Sequence, residues 1–111
     1  MTTNKPIRRV AVIGTGVIGA SWTALFLANG LEVVATDVAP DAEAALKRFV
    51  EAAWPALKRL GLGRGASQSK LTFESDLATA VKGADLVQEN GPERIDFKEE
   101  AVSTTRRAVA A

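Results

Sequence analysis

Neither cysteine nor histidine occurs in this sequence. Without cysteine there is no disulfide framework and no redox thiol. Without either residue, the usual zinc ligands and the commonest general base are missing as well. Charge of one sign is not in excess: 14 Lys and Arg face 13 Asp and Glu, for a net charge of +1. No broad electrostatic case exists for nucleic acid or an anionic membrane. No apolar run approaches the ~20 residues of a transmembrane helix. Met1 to Arg9 lacks the apolar core of a signal peptide, so a cytoplasmic location is expected. What remains is ordinary: 111 residues, 47% hydrophobic and 24% charged, enough for one globular domain.

The informative stretch is Arg8 to Asp37. Val10 to Ile13 is a short apolar run of the kind buried strands use. Gly14, Gly16 and Gly19 follow with G-x-G-x-x-G spacing, then an apolar helical stretch from Val17 to Ala28. Asn29-Gly30 stops it, with Gly30 suited to a left-handed helix end. A second apolar run, Leu31 to Ala35, leads to Asp37, 23 residues beyond Gly14. This order of strand, glycine turn, helix, strand and acid is the dinucleotide-binding fingerprint. Gly14 permits the sharp turn, Gly16 lets a pyrophosphate approach the backbone, and Gly19 lets the helix pack close to the strand. The N–H groups of Val17, Ile18, Gly19 and Ala20 are expected to point at the phosphates, helped by the helix dipole. Asp37 is expected to accept both hydroxyl protons of the adenosine ribose. A 2′-phosphate would be repelled there, and no base follows until Lys47 and Arg48. NAD is therefore expected over NADP. The plainer alternative is a tight turn of another α/β protein, with Asp37 as a turn or capping acid.

Along the chain, Met1 to Pro6 is expected to fray, and Ile7 to Ile13 reads as strand one. The first helix is apolar nearly all round, which predicts burial on more than one side and a core role for Trp22. A place beside the cofactor is the lesser reading for that tryptophan. Leu31 to Asp37 is strand two, and Pro40 suits a first helical position. Leu46, Phe49, Val50, Ala53, Trp54, Leu57 and Leu60 form an amphipathic stripe on helix two. Pro55 predicts a kink or break near Trp54. Gly61 to Lys70 reads as a mobile surface connection, with a second phosphate loop as the alternative. Leu71 to Glu74 is strand three, Asp76 or Ser75 caps a short helix over Leu77 to Val81, and Ala84 to Gln88 is strand four. Pro92 and Glu93 open a last helix reaching about Ala108. Alternating strands and helices imply a Rossmann-type doubly wound parallel α/β sheet, here incomplete, with four strands in the order 3-2-1-4. Strand four then has an open edge that a second chain could cover.

The run G-A-D-L-V-Q-E-N-G-P-E-R-I-D-F-K, Gly83 to Lys98, resembles a segment of the 3-hydroxyacyl-CoA dehydrogenase family. Its carnitine 3-dehydrogenase branch carries a similar V-Q-E-N-G-P-E-R. The resemblance covers residues 7–100, the front of that family's NAD-binding domain. It implies oxidation of a 3-hydroxyl to a 3-keto group with hydride passing to NAD. On matching positions it implies that Gly14, Gly16 and Gly19 hold the pyrophosphate and Asp37 the ribose. Asn90 would line the cofactor cleft, and Glu93 and Lys98 would lie near the nicotinamide. Read without the family, Glu93 is a first-turn acid and Lys98 a solvated helix lysine.

The family's catalytic serine, histidine, glutamate and asparagine find no match, and its helical second domain is also missing. No catalytic residue is therefore assigned. Residues 101–111, A-V-S-T-T-R-R-A-V-A-A, depart from the family pattern and form an atypical tail. A frameshift or mis-called gene end is the expectation there, and resequencing past codon 100 tests it. The sequence reading is thus an NAD-binding portion of a dehydrogenase without catalysis of its own. The alternatives are a stand-alone NAD-binding or regulatory module and one half of a split dehydrogenase.

Overall fold

A computed structural model describes residues 6–90. Its elements are β1 (Arg9–Ile13), α1 (Val17–Ala28), β2 (Glu32–Thr36), α2 (Ala42–Leu60), β3 (Leu71–Phe73), α3 (Leu77–Val81) and β4 (Leu86–Glu89). The four strands form one parallel sheet in the order β3-β2-β1-β4, as the alternation of elements predicts. The central pairings set Ile13 beside Thr36 on one flank and Glu89 on the other. The carboxyl ends of β1, β2 and β4 therefore share one crest.

The two faces of the sheet follow the two-residue period of its strands. Val10, Val12, Val33 and Ala35 point toward α1 and α2, where they meet Ala20, Ala24, Leu27, Leu46 and Val50. Ala11 and Ile13 point the other way, toward Val81, with Leu77, Ala84 and Val87 packed around them. Helices α1 and α2 thus cover one face and α3 the other. The change of side falls between β1 and β4, where open α/β sheets form their ligand crevice.

Several sequence expectations need correction. Helix α1 is apolar all round but is buried on one side only: Val17 is 75% exposed, Ile18 66%, Leu25 45% and Trp22 41%. The buried side consists of Gly19, Ala20, Thr23, Ala24, Leu27 and Ala28. Apart from Leu27 the residues on this side are small, which lets the helix axis approach the sheet, while Val17, Ile18, Trp22 and Leu25 turn outward. Trp22 is therefore not core; it stacks on Phe26, with ring centroids 5.6 Å apart.

Helix α2 starts at Ala42 rather than Pro40 and runs unbroken through Pro55. The stripe Leu46, Phe49, Val50, Ala53, Trp54 and Leu57 packs against the core on both sides of the proline. That packing outweighs the one hydrogen bond the proline removes. The Gly61 to Lys70 stretch is docked rather than a mobile connection. Gly63 N–H donates to Ala28 O at 2.8 Å, Lys70 Nζ donates to Gly30 O at 3.2 Å, and Gln68–Lys70 forms a 3-10 turn. The N–H groups of Gly61, Gly63, Ala66, Ser69 and Lys70 all donate to acceptors of the protein itself. Asp76 caps α3 by accepting from Thr79 N–H at 2.9 Å.

Candidate dinucleotide site

The crest is built from the end of β1 upward. Gly14 leaves the strand with φ +89°, a conformation glycine adopts without steric cost. Its N–H donates to Thr36 O at 2.9 Å, tying the turn to the end of β2. A Cβ on Gly19 would sit 1.9 Å from Gly14 O, so only glycine lets the turn and the helix approach this closely. A Cβ on Gly16 would meet nothing within 4 Å. The space over Gly16 is open, the cradle a pyrophosphate requires.

Helix α1 opens here, and its first donors have no carbonyl to pair with. Among the described residues, no hydrogen bond is made by the N–H groups of Val17, Ile18 or Gly19. Ala20 departs from the expectation: its N–H donates to Gly16 O at 2.8 Å, the first bond of the helix. Val17 and Ile18 expose their side chains at this tip, and their backbone donors form the positive end of the helix dipole.

Asp37 follows β2 and lies beside the turn. Its Oδ2 accepts from Thr15 N–H at 2.6 Å and from the Thr15 hydroxyl at 3.1 Å. Its Oδ1 accepts from Ala39 N–H at 3.0 Å. Burial pushes this carboxyl up, but hydrogen bonds from Thr15, Ala39 and Val38 outweigh it and hold it below its ordinary value. Asp37 is thus ionised at neutral pH and anchors the glycine turn. The turn-acid reading of the sequence is what these hydrogen bonds show. Thr15, buried at the second position of the motif, was not singled out in the sequence. Nothing in its type or spacing marked it; only the fold brings β2 alongside.

Asn90 closes the third side. Its N–H donates to Ile13 O at 2.6 Å, and its Oδ1 accepts from Gln88 Nε2 at 3.2 Å. Asn90 Nδ2 lies 3.6 Å from where a Gly19 Cβ would be. Gly14, Gly16, Gly19, Asp37 and Asn90 are thus brought to one crest. Glu93 and Lys98 lie outside the described residues, as does the last helix expected from Pro92 onward. Among the described residues, no cluster of His, Cys, Asp and Glu could hold a metal, and no helix is long and apolar enough to cross a membrane.

The family model for the 3-hydroxyacyl-CoA dehydrogenase NAD-binding domain matches residues 9–111. L-carnitine dehydrogenase of Streptomyces coelicolor is 53% identical over 103 residues, 93% of this chain and 32% of that protein. The Bacillus cereus L-carnitine dehydrogenase is 55% identical over 92 residues, 83% of this chain and 28% of its own length. The chain therefore spans about a third of these relatives. Among solved structures, a diketoreductase superposes with TM-score 0.79 at 33% identity, covering 94% of this chain and 38% of that one. An NAD+-dependent 5-formyl-3-hydroxy-2-methylpyridine 4-carboxylic acid 5-dehydrogenase superposes with TM-score 0.80 at 37% identity, covering 93% and 34%. With the glycine turn, the anchored acid and the switch point in one place, and a family match over nearly the whole chain, this protein belongs to the 3-hydroxyacyl-CoA dehydrogenase family and forms its NAD-binding domain.

Proposed function

We propose that this chain holds NAD across the start of α1, as the cofactor-binding part of a dehydrogenase that oxidises a secondary 3-hydroxyl to a ketone. The observation that carries the reading is the open backbone over Gly16, beside three unpaired helix N–H groups and an ionised Asp37. The N–H groups of Val17, Ile18 and Gly19 bind the pyrophosphate, and the Asp37 carboxylate receives the adenosine ribose. Asn90 lines the cleft beyond β1, and Glu93 and Lys98 are assigned to the nicotinamide side by the family resemblance. NAD supplies the hydride acceptor. The names of the relatives favour carnitine as substrate, with a 3-hydroxyacyl-CoA as the wider family alternative. No histidine is available in these residues to take the hydroxyl proton, so we assign this chain cofactor binding and not the general base.

Calorimetric titration with NAD and NADP, on the chain and on Asp37→Ala, tests this reading. NAD should bind more tightly than NADP, and the substitution should weaken NAD more than NADP. Absence of NAD binding, or an equal loss for both, counts against it.

A second chain completing the sheet is also proposed, on one observation. Among the described residues, β4 pairs only with β1, and Leu86 on it is 38% exposed. An unpaired edge with exposed apolar side chains invites another strand. Co-expression with a chain carrying the serine and histidine that the family resemblance implies should give carnitine-dependent NADH formation. If the two chains neither co-purify nor become active, this pairing is wrong.

A further inference from the structure

The Asp37 carboxylate is committed before any ribose arrives. A carboxylate offers about four lone-pair directions on two oxygens. Both on Oδ2 are taken by Thr15, through its N–H at 2.6 Å and its hydroxyl at 3.1 Å. Oδ1 accepts Ala39 N–H at 3.0 Å, and Val38 N–H is a further donor to the carboxylate. Among the described residues no charged side chain pairs with this carboxylate; its partners are hydrogen-bond donors from Thr15, Val38 and Ala39. Thr15 is 8% exposed, so its hydroxyl has little water to turn to and is held on the carboxylate. Donation to an ionised oxygen is stronger than to a neutral one, and it fixes direction as well as charge.

We propose that Thr15 is a positioning residue for cofactor selectivity: by holding Oδ2 it aims Oδ1 at the adenosine ribose, so discrimination against the 2′-phosphorylated cofactor rests on Thr15 together with Asp37. The inference depends on the proposed NAD site and adds a residue to it. The Thr15 N–H is tied to Asp37 and is thereby removed from the set that meets phosphate. The acid of β2 and the turn after β1 are consequently one unit. Loosening the carboxylate weakens ribose binding and, at the same time, reduces its repulsion of a 2′-phosphate.

The test uses the full chain, with Thr15→Val to remove the hydroxyl at constant shape and Thr15→Ser to restore it. NAD and NADP affinities are measured by calorimetry from acidic to neutral pH, and melting without cofactor is followed as a folding control. Thr15→Val should bind NAD roughly tenfold more weakly, the loss of one hydrogen bond to a charged group. NADP affinity should change less, so the preference for NAD narrows. The acid limb of NAD binding should move to higher pH, because the lost hydrogen bond favoured the ionised form. Thr15→Ser should return affinity, preference and pH profile to within about twofold of the parent. Unchanged NAD affinity and preference in Thr15→Val, or failure of Thr15→Ser to restore them while melting like the parent, overturns the inference alone. A parent chain that does not bind NAD overturns the proposed site and this inference with it.

Discussion

Two glycine-rich stretches lie in this molecule, and they use glycine for opposite ends. Gly14 to Gly19 keeps backbone donors free: the space over Gly16 is open, and α1 begins with unpaired N–H groups. Gly61 to Ala66 spends backbone donors within the protein, with Gly61 N–H on Leu57 O, Gly63 N–H on Ala28 O and Ala66 N–H on Gly63 O. There the tight contact is structural, since a Cβ on Gly30 would lie 2.1 Å from Arg64 O. Composition is similar in the two stretches. What separates a ligand cradle from a packed connection is whether a helix starts immediately and leaves its donors facing solvent.

The sharpest way to break this contrast is Gly19→Ala. The new methyl would collide with the backbone oxygen of Gly14, so either the turn or the helix must move. We expect a stability loss on the order of 3 kcal/mol in urea unfolding, with NAD binding lost as well. A variant as stable as the parent would mean that the close approach is not required.

Gly30→Ala probes the other stretch. Its φ of +86° and the nearby Arg64 carbonyl both oppose a side chain. The expected cost is about 2 kcal/mol, while the folded fraction keeps the parent's NAD affinity. Weakened NAD binding in that folded fraction would erase the distinction between the stretches.

Gly16→Ala should show the reverse pattern. Nothing stands within 4 Å of the new methyl, so stability should change by no more than about 0.5 kcal/mol. NAD affinity should nevertheless fall about tenfold, because the methyl occupies the space meant for phosphate. Together, Gly30→Ala and Gly16→Ala form a double dissociation that calorimetry and urea titration can read.

The smallest effect concerns pH. Asp37 is held below its ordinary value in the folded chain, where hydrogen bonds outweigh burial. Its contribution to stability is therefore full above the ordinary carboxylate range of about pH 4 and fades as pH falls through the lowered value. Asp37→Asn removes that contribution. The gap in urea midpoint between parent and variant should narrow on acidification below about pH 4; a gap that stays constant would deny the anchoring role.

Much of this was legible in the chain. The run Val10 to Ile13, the three glycines and the acid at Asp37 report their elements through local rules, because strand alternation and helix starts depend on neighbouring residues. The sheet order followed from the Rossmann-type fold that the glycine fingerprint implied. Misreadings occurred where a residue's partner is distant in sequence. Trp22 read as core because apolarity does not say which side of α1 is covered. Pro55 read as a kink or break, and the helix is not broken there because packing on both sides of the proline is tertiary. The Gly61 to Lys70 stretch read as mobile because its anchor, the end of α1 at Ala28, lies more than thirty residues earlier.

The amino-acid order alone determined the parallel α/β pattern, the glycine turn and the choice of a carboxylate over a base after β2. These rest on period, backbone freedom and charge, all local properties. Only the folded chain decided which face of α1 is buried, where the second glycine stretch docks, and that Thr15 grips Asp37. Each of those requires β1, β2 and their helices to be side by side, and proximity across 22 residues is set by sheet pairing rather than by any residue's own preference.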